Sequence, residues 1–404
     1  MICFSLPPDP AELDGILQEI PNAPAVFLLW PAEGTPYLAR TNVLRRRLLR
    51  LLGTAQKPSK ALNLRGTILR VEYHLTGSAL ESHFVLTEQA RLHLGANYRK
   101  EIRLRMPPYV KLILTNEFPR TQVANRLGRA KAVYFGPFRT RSTAARFESE
   151  FLDLFQLRRC QEDLVPALEH PGCIYGEMAR CLRPCQLVVG VAEYRTEAQR
   201  VGEFLHTAGH SLLDTAASAR DRLSEEMDFE GAARMHQRFE KVQAVLALTD
   251  EMVRDVSALH ACTVTRSASA GTVELGWLRG GYWQGFRQLP LQIGEGTAMS
   301  LDTRVRELAA SIPAAMGTPQ EREEKLAILA RWFYSSWRDG EMILFDTWEK
   351  QPIRKLVNAV SRVAQSKPKS FKPKLSKSES NTGGGHAAGV PDGDAPLPGS
   401  DSGR

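Results

Sequence analysis

The spacing of apolar positions changes several times along the chain. Residues 20–30, IPNAPAVFLLW, contain a short continuous apolar run that predicts a buried strand. EGTPYLAR (33–40) predicts a turn and a second strand. In the stretch that follows, Leu44, Leu48, Leu51 and Leu52 recur at i, i+4, i+7 and i+8, the stripe of a helix that buries one face. GTILRVEYHL (66–75) predicts a third strand, and Thr87 ahead of Glu88 predicts a helix start. Together these elements form a small α/β domain over residues 15–108.

Beyond it, residues 110–138 predict two strands and a turn, and residues 151–190 form a cysteine-bearing stretch within a segment spanning 109–192. Residues 193–250 have a helical pattern. ALHACTVT, TVELGWL and YWQGFRQLPL then alternate like strands, with Arg279-Gly280-Gly281 as a tight turn between the last two. A helix follows around 320–338, inside a β-rich part covering 251–365. From residue 366 onward the chain is Lys, Pro, Ser and Gly with few apolar residues, so residues 366–404 are expected to be disordered. The expected fold class is α+β, in several domains.

Charge narrows the choice of partners. The 404 residues carry a net charge of +8, which favours an acidic partner, nucleic acid first. Arg46, Arg47 and Arg50 lie opposite the leucine stripe, with Arg45 beside them and Arg40 just upstream. Alone, such a run is either a solvated face or a phosphate-binding one. The start, MICFSLPPDP, reads as no signal peptide, and no apolar run approaches the ~20 residues of a membrane span. The expectation is a cytoplasmic protein without a membrane partner. In that compartment six cysteines are reduced thiols or metal ligands. Cys160, Cys173, Cys181 and Cys185 lie within 26 residues, separated by 12, 7 and 3. Four such thiols suit zinc or an iron–sulfur cluster, or are simply buried.

YFGPF (134–138), LFQLRRC (154–160), PGCIYGEMARCLRPC (171–185) and the arginine helix, in this order, resemble the N-terminal half of the UvrC family. The resemblance implies a GIY-YIG nuclease domain, a four-cysteine segment ligating a [4Fe–4S] cluster with zinc as the alternative, and action on damaged DNA in nucleotide excision repair. PYLARTNVLRRRL is similar to the family's YVGKAKNLRKRV, which places Tyr37 at the catalytic tyrosine, Arg40 at the conserved basic residue and Arg47 at the arginine that contacts the scissile phosphate. Arg45, Arg46 and Arg50 are then DNA-binding candidates. The catalytic pattern is incomplete. Phe27 stands where a tyrosine is expected and Ala39 where a glycine is. Matching the family's EALLLE to ARLHLG (90–95) puts Gly95 at the metal-binding glutamate; Glu88, Glu101, His74, His83 and His93 are the nearby alternatives. A divalent metal such as Mg²⁺ is implied only if the nuclease is active.

Residues 212–246 resemble the UVR motif, two antiparallel helices broken at Met227-Asp228, with Phe229, Ala232, Ala233, His236, Phe239 and Val242 on one stripe. The resemblance implies docking onto UvrB; the alternative is a hairpin packed within the core. The strands at 258–290 resemble the start of the family's RNase H-like half, and no second incision is expected. Two functions follow: a DNA-binding repair protein with an impaired nuclease, or an endonuclease making a single 3′-side nick.

Overall fold

The computed structural model describes residues 1–54, 63–128, 131–291, 299–314 and 317–366. The tail expected to be disordered therefore lies, beyond Ser366, outside the described residues. Among the described residues the chain is mixed α/β, with three antiparallel sheets and twelve α-helices.

Two elements begin before residue 15: β1 (Ile2–Ser5) and α1 (Pro10–Glu19). They join β2 (Ala25–Pro31), β3 (Tyr37–Thr41), α2 (Leu44–Leu52), β4 (Ile68–Leu75), α3 (Ala79–His93) and the single-turn α4 (Tyr98–Glu101). The sheet order is β1-β4-β2-β3. Strand β2 is apolar throughout because both its faces are covered. Phe27 and Leu29 share a core with Leu13, Leu17, Leu44 and Leu48, while α3 packs across the sheet as well.

Helix α3 starts eight residues before the position expected from Thr87. The Ser78 hydroxyl accepts the Glu81 amide at 3.0 Å, and the Glu81 carboxylate accepts the Gly77 amide at 2.7 Å. This reciprocal cap sets the start. Thr87 lies inside the helix, buried, with its hydroxyl donating to the His83 carbonyl at 2.8 Å.

The middle part has three strands where two were expected: β5 (Tyr109–Ile113), β6 (Arg120–Ala124) and β7 (Ala132–Gly136). The extra strand, RTQVA, is polar and lies at the sheet edge, so it carries little apolar signal. Helices α5 (Arg141–Leu152), α6 (Ile174–Glu177) and α7 (Val191–His206) follow. Phe135, Phe138, Phe147, Phe151, Phe155 and Phe204 form one aromatic core with ring separations of 5.1–6.1 Å. The helical segment resolves into α7, α8 (His210–Glu225) and α9 (Phe229–Leu246). The break at Met227-Asp228 is as expected: Met227 has φ +61 and the Asp228 side chain caps α9 through the Gly231 amide.

Strand β8 (Arg254–Asp255) returns to the middle sheet beside β7. The last sheet contains β9 (His260–Arg266), β10 (Thr272–Arg279) and β11 (Tyr282–Pro290), the three expected strands. Arg279 pairs with Tyr282 across Gly280 and Gly281, whose φ values of +56 and +76 fit the tight two-residue turn. After α10 (Leu301–Ala310) and α11 (Pro319–Phe333), β12 (Glu341–Phe345) adds to β9, and α12 (Ile353–Gln365) covers the sheet. Helix α11 stops at Phe333, short of 338, because the chain turns to seat Trp337 and Asp339 against α3. Trp337 stacks on His83 at 5.3 Å, and Asp339 accepts both the Ala79 amide at 2.6 Å and the Trp332 indole at 2.9 Å. No helix among the described residues is long and apolar enough to cross a membrane.

Candidate nucleic-acid interface and cysteine centre

Helix α2 turns its leucines inward, as its pattern predicts: Leu44, Leu48, Leu51 and Leu52 are buried. Its arginines differ in what they touch. The Arg45 Nε donates to the Ile20 carbonyl at 2.6 Å, so this side chain fastens α2 to the end of α1. Arg46 and Arg50 are exposed. The Arg47 Nη2 donates to the Tyr37 hydroxyl at 3.2 Å, joining the two residues placed at catalytic positions. The Phe27 ring lies 6.2 Å from that of Tyr37 and offers no hydroxyl. Among the described residues no carboxylate forms a hydrogen bond or ion pair with Tyr37 or Arg47. The pair by itself does not fit a divalent metal, which needs oxygen ligands of the carboxylate kind.

Arg40 does not join that pair. Three residues along β3, the alternation of the strand turns it to the other face. Its Nη1 lies 3.5 Å from the His83 Nδ1, which also sits 2.7 Å from the Ala79 carbonyl. The shorter contact takes the proton, so Nδ1 donates to Ala79. Burial, with Arg40 and Arg331 close by, lowers the His83 pKa to about 3, and the ring is neutral. Its Nε2 is buried without a hydrogen-bond partner among the described residues. His74 faces Glu81 at 3.5 Å, and His93 lies edge-on to Trp30.

The register that put Gly95 at the metal-binding position needs correction. Gly95 lies past the end of α3, exposed, in a short 3₁₀ turn at φ +68. The helix that follows β4 is α3 itself, and its first half is closed off. Leu80, Glu81, Ser82, His83 and Phe84 are all buried. Phe84 stacks on Trp283 at 4.6 Å, and a Cβ on Gly77 would sit 2.1 Å from the Ser267 carbonyl carbon. The last sheet is thus seated on the first half of α3. Glu88 is exposed on α3 and Glu101 on α4.

The cysteine stretch is held by three non-glycine residues in the left-handed region, Ala179, Arg183 and Leu187, at φ 54, 54 and 55. Such backbone persists where surroundings over-determine it. Cys181 and Cys185 are buried, Cys160 is half-buried and Cys173 exposed. Burial pushes the Cys181 thiol up to about 11, with the other three sulfurs adding to the shift and the Arg183 amide opposing it. Arg158, between β6 and this stretch, is 2% exposed. Its donors go to the carbonyls of Phe118, Cys160 and Glu162 and, at 3.3 Å, to the Cys160 sulfur. No described carboxylate pairs with it. A buried guanidinium with neutral partners calls for a nearby negative charge, which cysteine thiolates bound to a metal would supply. The donor set therefore fits a thiolate-bound metal centre. Sequence reading did not single out Arg158; its place two residues before Cys160 was the available signal.

On the hairpin, Val242 is buried, Ala232 and Phe239 are half-buried, and Phe229, Ala233 and His236 are exposed, so the expected stripe is packed only toward its C-terminal end. Met227 and Phe229 leave 73% and 65% of their surface open at the tip.

Residues 108–204 match the model of the UvrC/Cho excinuclease middle domain, a span that holds all four clustered cysteines. The UvrABC system protein C of Desulfatibacillum aliphaticivorans is 25% identical over 290 residues, 69% of this chain and 46% of its own length. That of Desulforudis audaxviator is 27% identical over 344 residues, 80% of this chain and 53% of its own. That of Acetivibrio thermocellus is 22% identical over 381 residues, 89% and 59% respectively. The chain spans about half the length of the curated relatives it matches. No solved structure matches it significantly. The cysteine stretch lies within the span that matches the UvrC/Cho middle-domain model, the arginine helix before it and the broken helical hairpin after it, and the chain is UvrC-like.

Proposed function

We propose that the chain is a DNA-binding, UvrC-like subunit of nucleotide excision repair whose GIY-YIG-like domain holds damaged DNA but cuts it poorly or not at all. The observation that carries this reading is the division of the catalytic set. Tyr37 and Arg47 meet without a carboxylate, Arg40 turns to the opposite face, and the first half of α3 is covered by Trp337 and the last sheet. A phenol and a guanidinium can bind a phosphodiester. Without a metal-held charge opposite Arg47, the leaving oxygen lacks its main stabiliser. Arg46 and Arg50, exposed beside that pair, contribute to backbone binding.

Cys160, Cys173, Cys181 and Cys185 would hold a [4Fe–4S] cluster, which supplies structural cross-linking of the stretch and an electron-transfer centre when bound. The four sulfurs act on one another's charge, yet no three ligand groups among the described residues close on one ion position. Arg158 and the Arg183 amide donate to Cys160 and Cys181, which orients the thiolates. The exposed tip of the hairpin, Met227 and Phe229, supports docking onto UvrB.

The test is a nicking assay on a damaged duplex with and without UvrB and Mg²⁺, paired with iron and sulfide analysis of anaerobically purified protein. The expected result is binding without efficient nicking, and about four irons per chain, lost in Cys181→Ala. Robust Mg²⁺-dependent nicking abolished by Arg47→Ala would establish the single-nick endonuclease instead. One zinc per chain in place of iron would overturn the cluster.

A further inference from the structure

Between α4 and β5 the chain forms a cleft of about 330 Å³. Arg99, Lys100, Arg103, Arg105 and Arg126 line it, with Leu104 and Met106 between them. Arg99 is compensated: its Nη2 lies 2.6 Å from Glu324, and Nη1 3.7 Å from Glu323. Lys100, Arg103, Arg105 and Arg126 are exposed and form no ion pair with a described carboxylate. Like charge also accumulates behind the cleft. The Arg331 pKa is lowered by burial and by Arg105, and Arg331 in turn acts on Arg40. Glu323 and Glu324 offset Arg99, and Glu323 also feels Arg126, so the charge left over lies on Lys100, Arg103 and Arg105. Surplus positive charge of this kind raises the free energy of the empty protein and is relieved by an anion.

Backbone conformation gives an independent indication. Helix α4 ends in a Schellman arrangement, with the Leu104 amide on the Arg99 carbonyl at 2.9 Å and the Arg103 amide on the Lys100 carbonyl at 3.0 Å. The left-handed position in this motif belongs by preference to glycine, because a Cβ there crowds the following carbonyl. Here Arg103 occupies it at φ 53. A long cation in a strained position, its guanidinium at the cleft and without a carboxylate partner, points to a role for the side chain rather than for the turn.

We propose that this cleft is a second nucleic-acid contact, separate from the α2 arginines, in which Lys100, Arg103, Arg105 and Arg126 bind successive backbone phosphates of one DNA strand. Guanidinium forks suit phosphate oxygens, and several around one opening suit a strand better than a single ion. Leu104 and Met106 supply apolar surface for the sugar. The inference rests on the DNA-binding half of the reading above and is independent of cutting, of UvrB and of the cysteine centre.

The test uses the full chain and an undamaged labelled 20-base-pair duplex, so nicking and UvrB play no part. Arg103→Gly removes the cation and relaxes the backbone. It should keep or raise the melting temperature while weakening duplex binding roughly tenfold at low salt. The salt dependence should flatten by ~0.9 log units per lost phosphate contact. Lys100→Ala/Arg105→Ala should lose further affinity, and Arg46→Ala/Arg50→Ala should add its loss independently. Unchanged affinity and salt slope in Arg103→Gly, with the protein folded, would overturn the proposal. So would inorganic pyrophosphate that displaces the duplex as well as an equal phosphate concentration of unlabelled DNA does, which would make the cleft a small-anion site. If both arginine sets prove silent, the DNA-binding reading itself fails; if only the α2 set matters, the cleft alone is wrong.

Discussion

Helices α3 and α9 stand in contrast. Helix α3 carries Glu81, Ser82, His83 and Thr87, a polar set suited to a catalytic surface, yet all four are buried. Helix α9 begins with Phe229, a side chain suited to a core, yet it stands open with Met227 beside it. In α3 the polar groups are consumed internally, apart from the His83 Nε2, which is buried without a hydrogen-bond partner among the described residues. Glu81 accepts from Gly77, Ser82 bonds Thr76 at 2.6 Å, His83 and Thr87 bond carbonyls one turn earlier, and Trp337 and Trp283 close the face. In α9 the apolar tip has no cover among the described residues. Polarity alone does not mark a functional helix; what distinguishes the two is whether the rest of the chain already satisfies the side chains.

The strongest way to break this contrast is to open the cover of α3. Trp332 is fully buried in α11 and its indole donates to Asp339, the residue that holds the start of α3. Trp332→Ala should cost about 3–5 kcal/mol in urea unfolding. A loss below about 1 kcal/mol would mean that the seam contributes little to folding and that α3 can be uncovered readily.

The opposite change at the hairpin tests the other half. Phe229→Asp should reduce UvrB binding by at least ~30-fold, an anchor loss of about 2 kcal/mol or more, in calorimetry or pull-down. Global stability should move by no more than about 0.5 kcal/mol, since the side chain is largely exposed. Retained binding would remove the tip from the docking surface.

Arg158 lies between these extremes, a buried cation with no carboxylate partner among the described residues and with the Cys160 sulfur 3.3 Å away. Arg158→Met should weaken iron retention about tenfold under chelator challenge, with Arg158→Lys intermediate. Equal iron retention in all three proteins would show that the guanidinium serves only the carbonyls it touches.

The smallest expected effect is a pH dependence in the seam. Glu274 on β10 is buried, and burial together with the nearby Glu81 raises its pKa to about 8. The folded chain therefore holds this proton to higher pH than the unfolded chain, whose ordinary value is 4.5. Stability from this group is complete below that value and is lost as pH rises toward about 8. Glu274→Gln should flatten the loss and be more stable at pH 8.5 by about 1 kcal/mol. A melting curve with unchanged pH slope would place the charge elsewhere in the seam.

Periodicity made several elements legible before any coordinates. The leucine stripe of α2, the hairpin break at Met227-Asp228 and the glycine turn of β10–β11 all follow from local rules of spacing and φ preference. Other elements were harder to read. Strand β6 is short and polar, and α3 is buried on several sides, so neither shows a one-sided apolar pattern. Helix α12 shows a clear one, Leu356, Ala359, Val360 and Val363, and could have been found by the same count.

For the candidate site, sequence alone determined the chemistry available: four clustered thiols, a run of arginines, and at Phe27 a ring without a hydroxyl. These are matters of residue type and spacing, which no folding changes. Tertiary structure decided which of them meet. It paired Tyr37 with Arg47, set Arg40 against His83, and tied Arg45 to the Ile20 carbonyl. It placed Arg158 against Cys160 and seated the last sheet on α3. Each outcome depends on contacts between residues far apart in the chain, and no local pattern of apolar and polar positions encodes which distant surface covers a given helix.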